Sequence, residues 1–172
     1  MTVPGLTVTT PTDDTIVMTR SFAAPRDLVF DALTTPDLLE RWYGARGWNL
    51  VVCEVDLRVG GSWRFVSRGP GGEEMGQSGV YRHIARPDRL AFTERFDDQS
   101  YPGEALVTHV LRGTTRRTTL TSTVQYPSRD ARDIVMRYPM ARGVAESFDR
   151  LDGVLARVGP THRLTEDQGD TG

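Results

Sequence analysis

A long amphipathic stripe closes a chain otherwise rich in strand signals. Met140, Val144, Phe148, Leu151, Leu155 and Val158 recur at spacings of three and four, which puts them on one face of an α-helix. Arg142, Glu146, Asp149, Arg150, Asp152 and Arg157 lie mostly elsewhere on it. The helical pattern begins near Ser128, and Pro139 interrupts it by removing one backbone donor and crowding the preceding turn. We therefore expect a break near Tyr138 and a second segment restarting at Pro139. A helix with so continuous an apolar face must bury it, and a sheet is the only partner of sufficient size.

The sheet is announced upstream. Thr15 to Phe22 reads as a first strand, and further strand signals follow at Asn49–Leu57, Ser62–Ser67, Gly76–Ala85, Arg89–Phe96, Ala105–Leu111 and Arg117–Val124. Their short separations, with turn chemistry at Val59-Gly60-Gly61, Gly69-Pro70-Gly71-Gly72, Arg86-Pro87-Asp88 and Arg112-Gly113, argue for antiparallel hairpins. Between strands one and two, Pro25 opens a short helix with Leu28, Val29, Ala32 and Leu33 as its stripe; Thr35-Pro36-Asp37 starts another, with Thr35 as cap. Leu38, Leu39 and Trp42 share one side of the second helix, and Gly44 and Gly47 end it. The expected fold is α+β: a helix-grip arrangement of seven curved antiparallel strands around a long C-terminal helix, with two short helices after strand one. A single domain is expected over residues 14–159, between polar tails at 1–13 and 160–172.

Composition excludes several classes. A net charge of -2 provides no general attraction to nucleic acid, and Arg129, Arg132, Arg137, Arg142, Arg150 and Arg157 alternate with Asp130, Asp133, Glu146, Asp149 and Asp152 rather than forming a basic stripe. All 21 basic residues are Arg, the bias of a GC-rich coding sequence. The single cysteine, Cys53, forbids an internal disulfide and sits in the alternation Val51-Cys53-Val55 as a small apolar residue. No secretory signal or membrane-length apolar run is visible, which gives the cytoplasm as the expected location and no membrane insertion. His83, His109 and His162 have no metal spacing, and no phosphate loop, dinucleotide fingerprint or nucleophile elbow occurs. Neither metal nor cofactor is expected.

Five ordered segments carry a family resemblance. They are Phe30-Asp31-Ala32-Leu33-Thr34 with Glu40-Arg41-Trp42-Tyr43-Gly44; Asp56-Leu57-Arg58-Val59-Gly60-Gly61-Ser62-Trp63; Gly79-Val80-Tyr81; Arg89-Leu90-Ala91-Phe92-Thr93-Glu94; and Ser147-Phe148-Asp149-Arg150-Leu151. Over residues 15–158 the chain resembles the family named after the activator of the heat-shock protein 90 ATPase, within the START-like ligand-binding superfamily. That resemblance implies a cavity between sheet and long helix. It spans carriers, polyketide aromatase/cyclases, chaperone activators and self-resistance proteins. Three positions depart from the pattern: His83 where Glu is common, Pro139-Met140 where Gly-Met is common, and Gly143-Val144 where Gly-Trp is common.

The candidate cavity residues are Trp42, Trp63, Phe65, Tyr81, His83, Phe92, Glu94, His109, Met140, Val144 and Phe148. Trp48 belongs to the same aromatic set. Aromatic walls with a few polar groups are the ordinary composition of a small-molecule pocket. Glu94 shares its strand face with Leu90, Phe92 and Phe96, so its carboxyl must find a partner or shift its pKa upward. The expected partner is an apolar or aromatic small molecule, including a polyketide-like antibiotic in a self-resistance role, bound by a monomer or homodimer. No catalytic residue is assigned, which favours a binder over an enzyme. An aromatase/cyclase-like catalyst using Glu94, His83 or His109 ranks second, and a module stimulating a chaperone ATPase third.

Overall fold

Among the described residues nine strands, two more than the sequence predicts, pair into one antiparallel sheet. The computed structural model describes the backbone of residues 2–167 and the side chains of residues 3–159. The strands are β1 (Thr2–Val3), β2 (Leu6–Thr9), β3 (Thr15–Phe22), β4 (Asn49–Val55), β5 (Ser62–Arg68), β6 (Glu74–Ala85), β7 (Arg89–Phe96), β8 (Ala105–Gly113) and β9 (Thr118–Gln125). Their spatial order is β1-β2-β3-β9-β8-β7-β6-β5-β4. Strands β4 to β9 form a meander of hairpins, and β3 pairs with β9 so that the first and last long strands lie together.

The additional strands arise from residues expected to fray. Leu6 and Val8 are buried while Thr7 and Thr9 point outward, the period-2 signal of a half-buried strand. Gly5, at φ +78°, turns the chain from β1 into β2. The N-terminal tail of the sequence reading is therefore the sheet edge.

Helices α1 (Arg26–Thr34) and α2 (Pro36–Trp42) stand between β3 and β4. Pro25 occupies the N-cap of α1, and Thr35 that of α2. Thr35 makes no side-chain capping bond; its carbonyl instead accepts from Leu38 and Leu39. The C-terminal pattern divides as expected at Pro139, into α3 (Arg129–Met136) and α4 (Met140–Asp167). Ser128 caps α3 by accepting from the Ala131 amide at 3.0 Å. Helix α4 passes the predicted boundary at residue 159, and the remainder of the expected tail, 168–172, lies outside the described residues.

Helix α4 closes on α1, α2, β1 and β2. Phe148 sets its ring edge-on to Phe22 with centroids 5.5 Å apart, and Arg20 of β3 reaches Asp149 at 2.9 Å and Asp152 at 2.7 Å. Leu151, Leu120, Ile16 and Val29 are fully sealed beneath this junction. Opposite it, the sheet is fastened by Trp63. Its neighbour across the β5–β6 ladder is Gly79, and its indole Nε1 passes over that glycine to donate to the Thr93 carbonyl at 3.1 Å. A Cβ at Gly79 would stand 1.7 Å from the same carbonyl oxygen. The Gly-Gly-Ser-Trp and Gly-Val-Tyr segments are thus two halves of one three-strand lock.

Candidate ligand-binding cavity

Between α4 and the sheet lies a cavity of about 370 Å³. Its floor follows from strand alternation: Trp63 and Phe65 on β5, Gln77 and Tyr81 on β6, Leu90, Phe92 and Glu94 on β7, and Val107 and His109 on β8 project to the same side. Its roof is Met140, Gly143, Val144, Ser147 and Phe148 of α4, with Tyr43, Gly44, Ala45 and Trp48 of the α2–β4 loop beside them. The walls are ring upon ring: Trp63 lies 4.9 Å from Phe65 and 5.4 Å from Phe92, and Tyr43 lies 5.0 Å from Phe65.

The roof loop is held by three polar side chains of α4, Glu146, Ser147 and Arg150. Glu146 accepts the Arg46 amide at 2.9 Å, and Ser147 Oγ accepts the Gly44 amide at 3.1 Å. Arg150 donates to the carbonyls of Gly44 at 3.0 Å and Trp48 at 2.7 Å, and to Asn49 Oδ1 at 2.9 Å. The loop turns through Gly44 at φ +123°, where a Cβ would meet the Trp48 carbonyl oxygen at 2.8 Å.

Ten of the eleven predicted residues line the cavity: Trp42, Trp63, Phe65, Tyr81, Phe92, Glu94, His109, Met140, Val144 and Phe148. His83 does not; it is exposed. A bulge between Tyr81 and His83 pairs Tyr81 with Phe92 but His83 with Ala91, so the two-residue period that should place them together is broken. A second bulge, between Leu50 and Val52, breaks the Val51-Cys53 alternation, leaving Val51 exposed and Cys53 only partly buried. The sequence reading missed Tyr43, Gln77, Ser122 and Tyr126. Gln77 was accessible by stepping back in twos from Tyr81, and it donates to the Tyr43 hydroxyl.

Among the described residues Glu94 is the single carboxylate of the lining, and no Arg accompanies it. It retains accessible surface because it opens into the cavity, yet it lies deep in the protein, and burial pushes its pKa from 4.5 up to about 7. Among the described residues no hydrogen bond reaches its side chain. The hydroxyl of Tyr101 is buried without a partner, and Glu94 raises the pKa values of Tyr43, Tyr101 and Tyr126, secondary to their burial. His109 is held the other way: burial lowers its pKa from 6.5 to about 4, and its Nδ1 lies 2.8 Å from Ser122 Oγ. His109 pairs with Leu90, four residues along β7 from Glu94. At ~3.3 Å per residue their backbone positions lie about 13 Å apart along the sheet. With His83 outside, neither histidine forms a dyad with Glu94. Among the described residues no group of three His, Cys, Asp or Glu side chains is placed to hold a metal ion, and no helix is long and apolar enough to cross a membrane.

The geometry has relatives. A Rhodobacter sphaeroides protein of solved structure is 33% identical, with a TM-score of 0.83 over 89% of this chain and 99% of that one. A Mycobacterium smegmatis protein, 23% identical, superposes with a TM-score of 0.79 over 89% of this chain and 99% of its own. An Hsp90 activator from Plasmodium falciparum, 24% identical, gives a TM-score of 0.51 over 66% of this chain and 74% of its own, a likeness of fold alone. The comparison with curated proteins found no match. The family model described as "Activator of Hsp90 ATPase homolog 1-like protein" matches residues 23–156, the span from the end of β3 to α4 that builds the lock, the cavity and its roof. This chain belongs to that family.

Proposed function

We propose that the protein binds an apolar or aromatic small molecule in the cavity under α4, as a carrier or sequestering protein. The observation that carries this reading is the cavity itself: about 370 Å³, walled by aromatic rings and holding few polar groups. That volume lies within the ~300–1,000 Å³ range of small-molecule pockets. A planar polycyclic molecule of polyketide type fits the class, and its sequestration would confer self-resistance on a cell that makes it. Native mass spectrometry of freshly purified protein, beside a denatured run, tests the reading. A small molecule released only on denaturation supports it. Protein that is apo as isolated and binds none of a panel of aromatic and polycyclic compounds refutes it.

One observation favours a second reading, an enzyme with Glu94 as a solitary acid or base: a carboxyl titrating near pH 7 within a cavity is poised for proton transfer. That reading requires turnover of a bound compound that falls at least about tenfold in Glu94→Gln, a loss within the usual contribution of one acid–base group. Unchanged turnover removes it.

A further inference from the structure

The cavity's polar content is one-sided. Among the described residues its lining offers Trp48, Trp63, Phe65, Phe92, Phe96 and Tyr126 as aromatic faces and Glu94 as the only group that can carry a full charge near neutral pH, with no Arg. We propose that the ligand is an aromatic or polycyclic molecule bearing a basic amine, whose ammonium group sits against Glu94 within the aromatic wall. The inference rests on the cavity being a ligand site and adds the ligand's charge.

Three physical arguments lead there. A buried carboxylate without a hydrogen-bonding partner is costly, and a desolvated ammonium is costly too; paired in one pocket, each removes the other's penalty. Aromatic faces attract a cation through the ring quadrupole, most strongly where water is excluded. An anionic ligand would meet Glu94 with no Arg to offset it, and a purely apolar one would leave Glu94 as unpartnered as it now stands. The groups facing Glu94 do not compete for the cation's role. Tyr43 at the end of α2, Tyr101 in the β7–β8 loop and Tyr126 beyond β9 are held neutral by burial and by Glu94 itself, and burial keeps His109 on β8 neutral above about pH 4.

The test uses probes matched in shape. Naphthylmethyl-trimethylammonium and neopentylnaphthalene differ in charge at one central atom, and the quaternary cation has no N–H, so a preference for it reports charge rather than hydrogen bonding. Binding is followed by tryptophan fluorescence, since Trp42, Trp48 and Trp63 line the cavity, or by calorimetry. At about pH 8 the cation should bind the wild-type protein at least about tenfold more tightly than its neutral isostere. That preference should vanish in Glu94→Gln while neutral-probe affinity persists, which also shows that the variant is folded. In the wild-type protein alone, the preference should fall about tenfold between about pH 8 and about pH 5.5 as the carboxylate is protonated. Equal affinity for both probes, a preference that survives Glu94→Gln, or tighter binding of the neutral donor 2-naphthol than of the cation overturns the proposal and leaves the cavity reading intact. Failure of all three probes overturns both.

Discussion

Glu94 and His109 make the folded protein respond to pH in two opposed ways, and single substitutions separate them. The folded-state pKa of Glu94 is raised from 4.5 to about 7, so the unfolded chain loses this proton first. Its contribution to stability is full below about pH 4.5 and is lost as pH rises toward 7. The folded-state pKa of His109 is lowered from 6.5 to about 4, so the unfolded chain gains a proton first. Its contribution is full above about pH 6.5 and is lost as pH falls toward 4. Each shift spans about 2.5 pH units, which at 1.36 kcal/mol per unit corresponds to about 3 kcal/mol. Between about pH 4.5 and 6.5 the two slopes nearly cancel in the unliganded wild-type protein. Urea unfolding at half-unit pH intervals exposes them. Glu94→Gln should match the wild type near pH 4.5 and exceed it by about 3 kcal/mol above pH 7, because the glutamine has no charge to bury. His109→Gln should leave a stability that falls with rising pH across the same window, relative to the wild type. A Glu94→Gln curve that runs parallel to the wild type from pH 4.5 to 7 would show that water or a rearranged partner solvates the carboxylate, and would refute the reasoning.

Removing the arginine that holds the roof loop, in Arg150→Met, orphans two partly buried carbonyls; at about 1 kcal/mol each, stability should drop about 2 kcal/mol. For a chain this long the melting temperature should fall about 4–8 °C, and a change under 1 °C would show that the loop does not depend on Arg150. Val144→Trp places an indole in the roof of the cavity, so affinity for neopentylnaphthalene should fall at least about tenfold with the fold retained; unaltered affinity would place the ligand elsewhere. Gly79→Ala drives a methyl group into the Thr93 carbonyl and the Trp63 indole, and should cost about 3 kcal/mol or more in urea unfolding, the upper range for a single substitution. A cost below about 1 kcal/mol would mean that the three-strand lock adjusts without opening.

What the sequence disclosed was what has a period. Trp63 and Phe65, Phe92 and Glu94, and Met140, Val144 and Phe148 were placed on cavity-facing sides by spacings of two and four, and Pro139 marked the break before α4. The Leu6-Thr7-Val8-Thr9 alternation carried the same signal but lay among the threonines and prolines of an apparent tail. His83 was misplaced because a bulge changes the count by one residue, and nothing in Tyr81-Arg82-His83 marks where that happens. Arg150 read as part of a solvated charged face, while its partners are backbone carbonyls 106 and 102 residues away. No local spacing encodes a side chain that holds distant backbone. The fold was therefore legible, the cavity floor largely so, and the loop at its mouth only through Trp48 and the glycines that end α2.

The volume of the cavity has a thermodynamic consequence. At about 24 cal/mol per Å³, about 370 Å³ left dry would cost up to about 9 kcal/mol, comparable to the ~5–15 kcal/mol net stability of a whole protein. Water can offset part of this near Glu94, Gln77 and His109, but not along the Trp63, Phe65 and Phe92 wall. The chain also has room to fill the space. A Cβ at Gly143 would meet nothing closer than the Ala45 methyl at 3.7 Å, an ordinary contact, and its neighbour Val144 is a modest side chain facing the void. A sequence organised only for stability would place larger residues there and an apolar one at Glu94. Contacts that the lining side chains do not make with one another must then come from whatever occupies the cavity. Because a ligand that binds only the folded state adds RT ln(1 + [L]/Kd), about 2.7 kcal/mol at a hundredfold excess over Kd, the melting temperature should keep rising with ligand concentration well beyond stoichiometric saturation. A melting temperature that stops rising once the cavity is full would mean that the compound also binds the unfolded chain, and that the cavity is not its specific site.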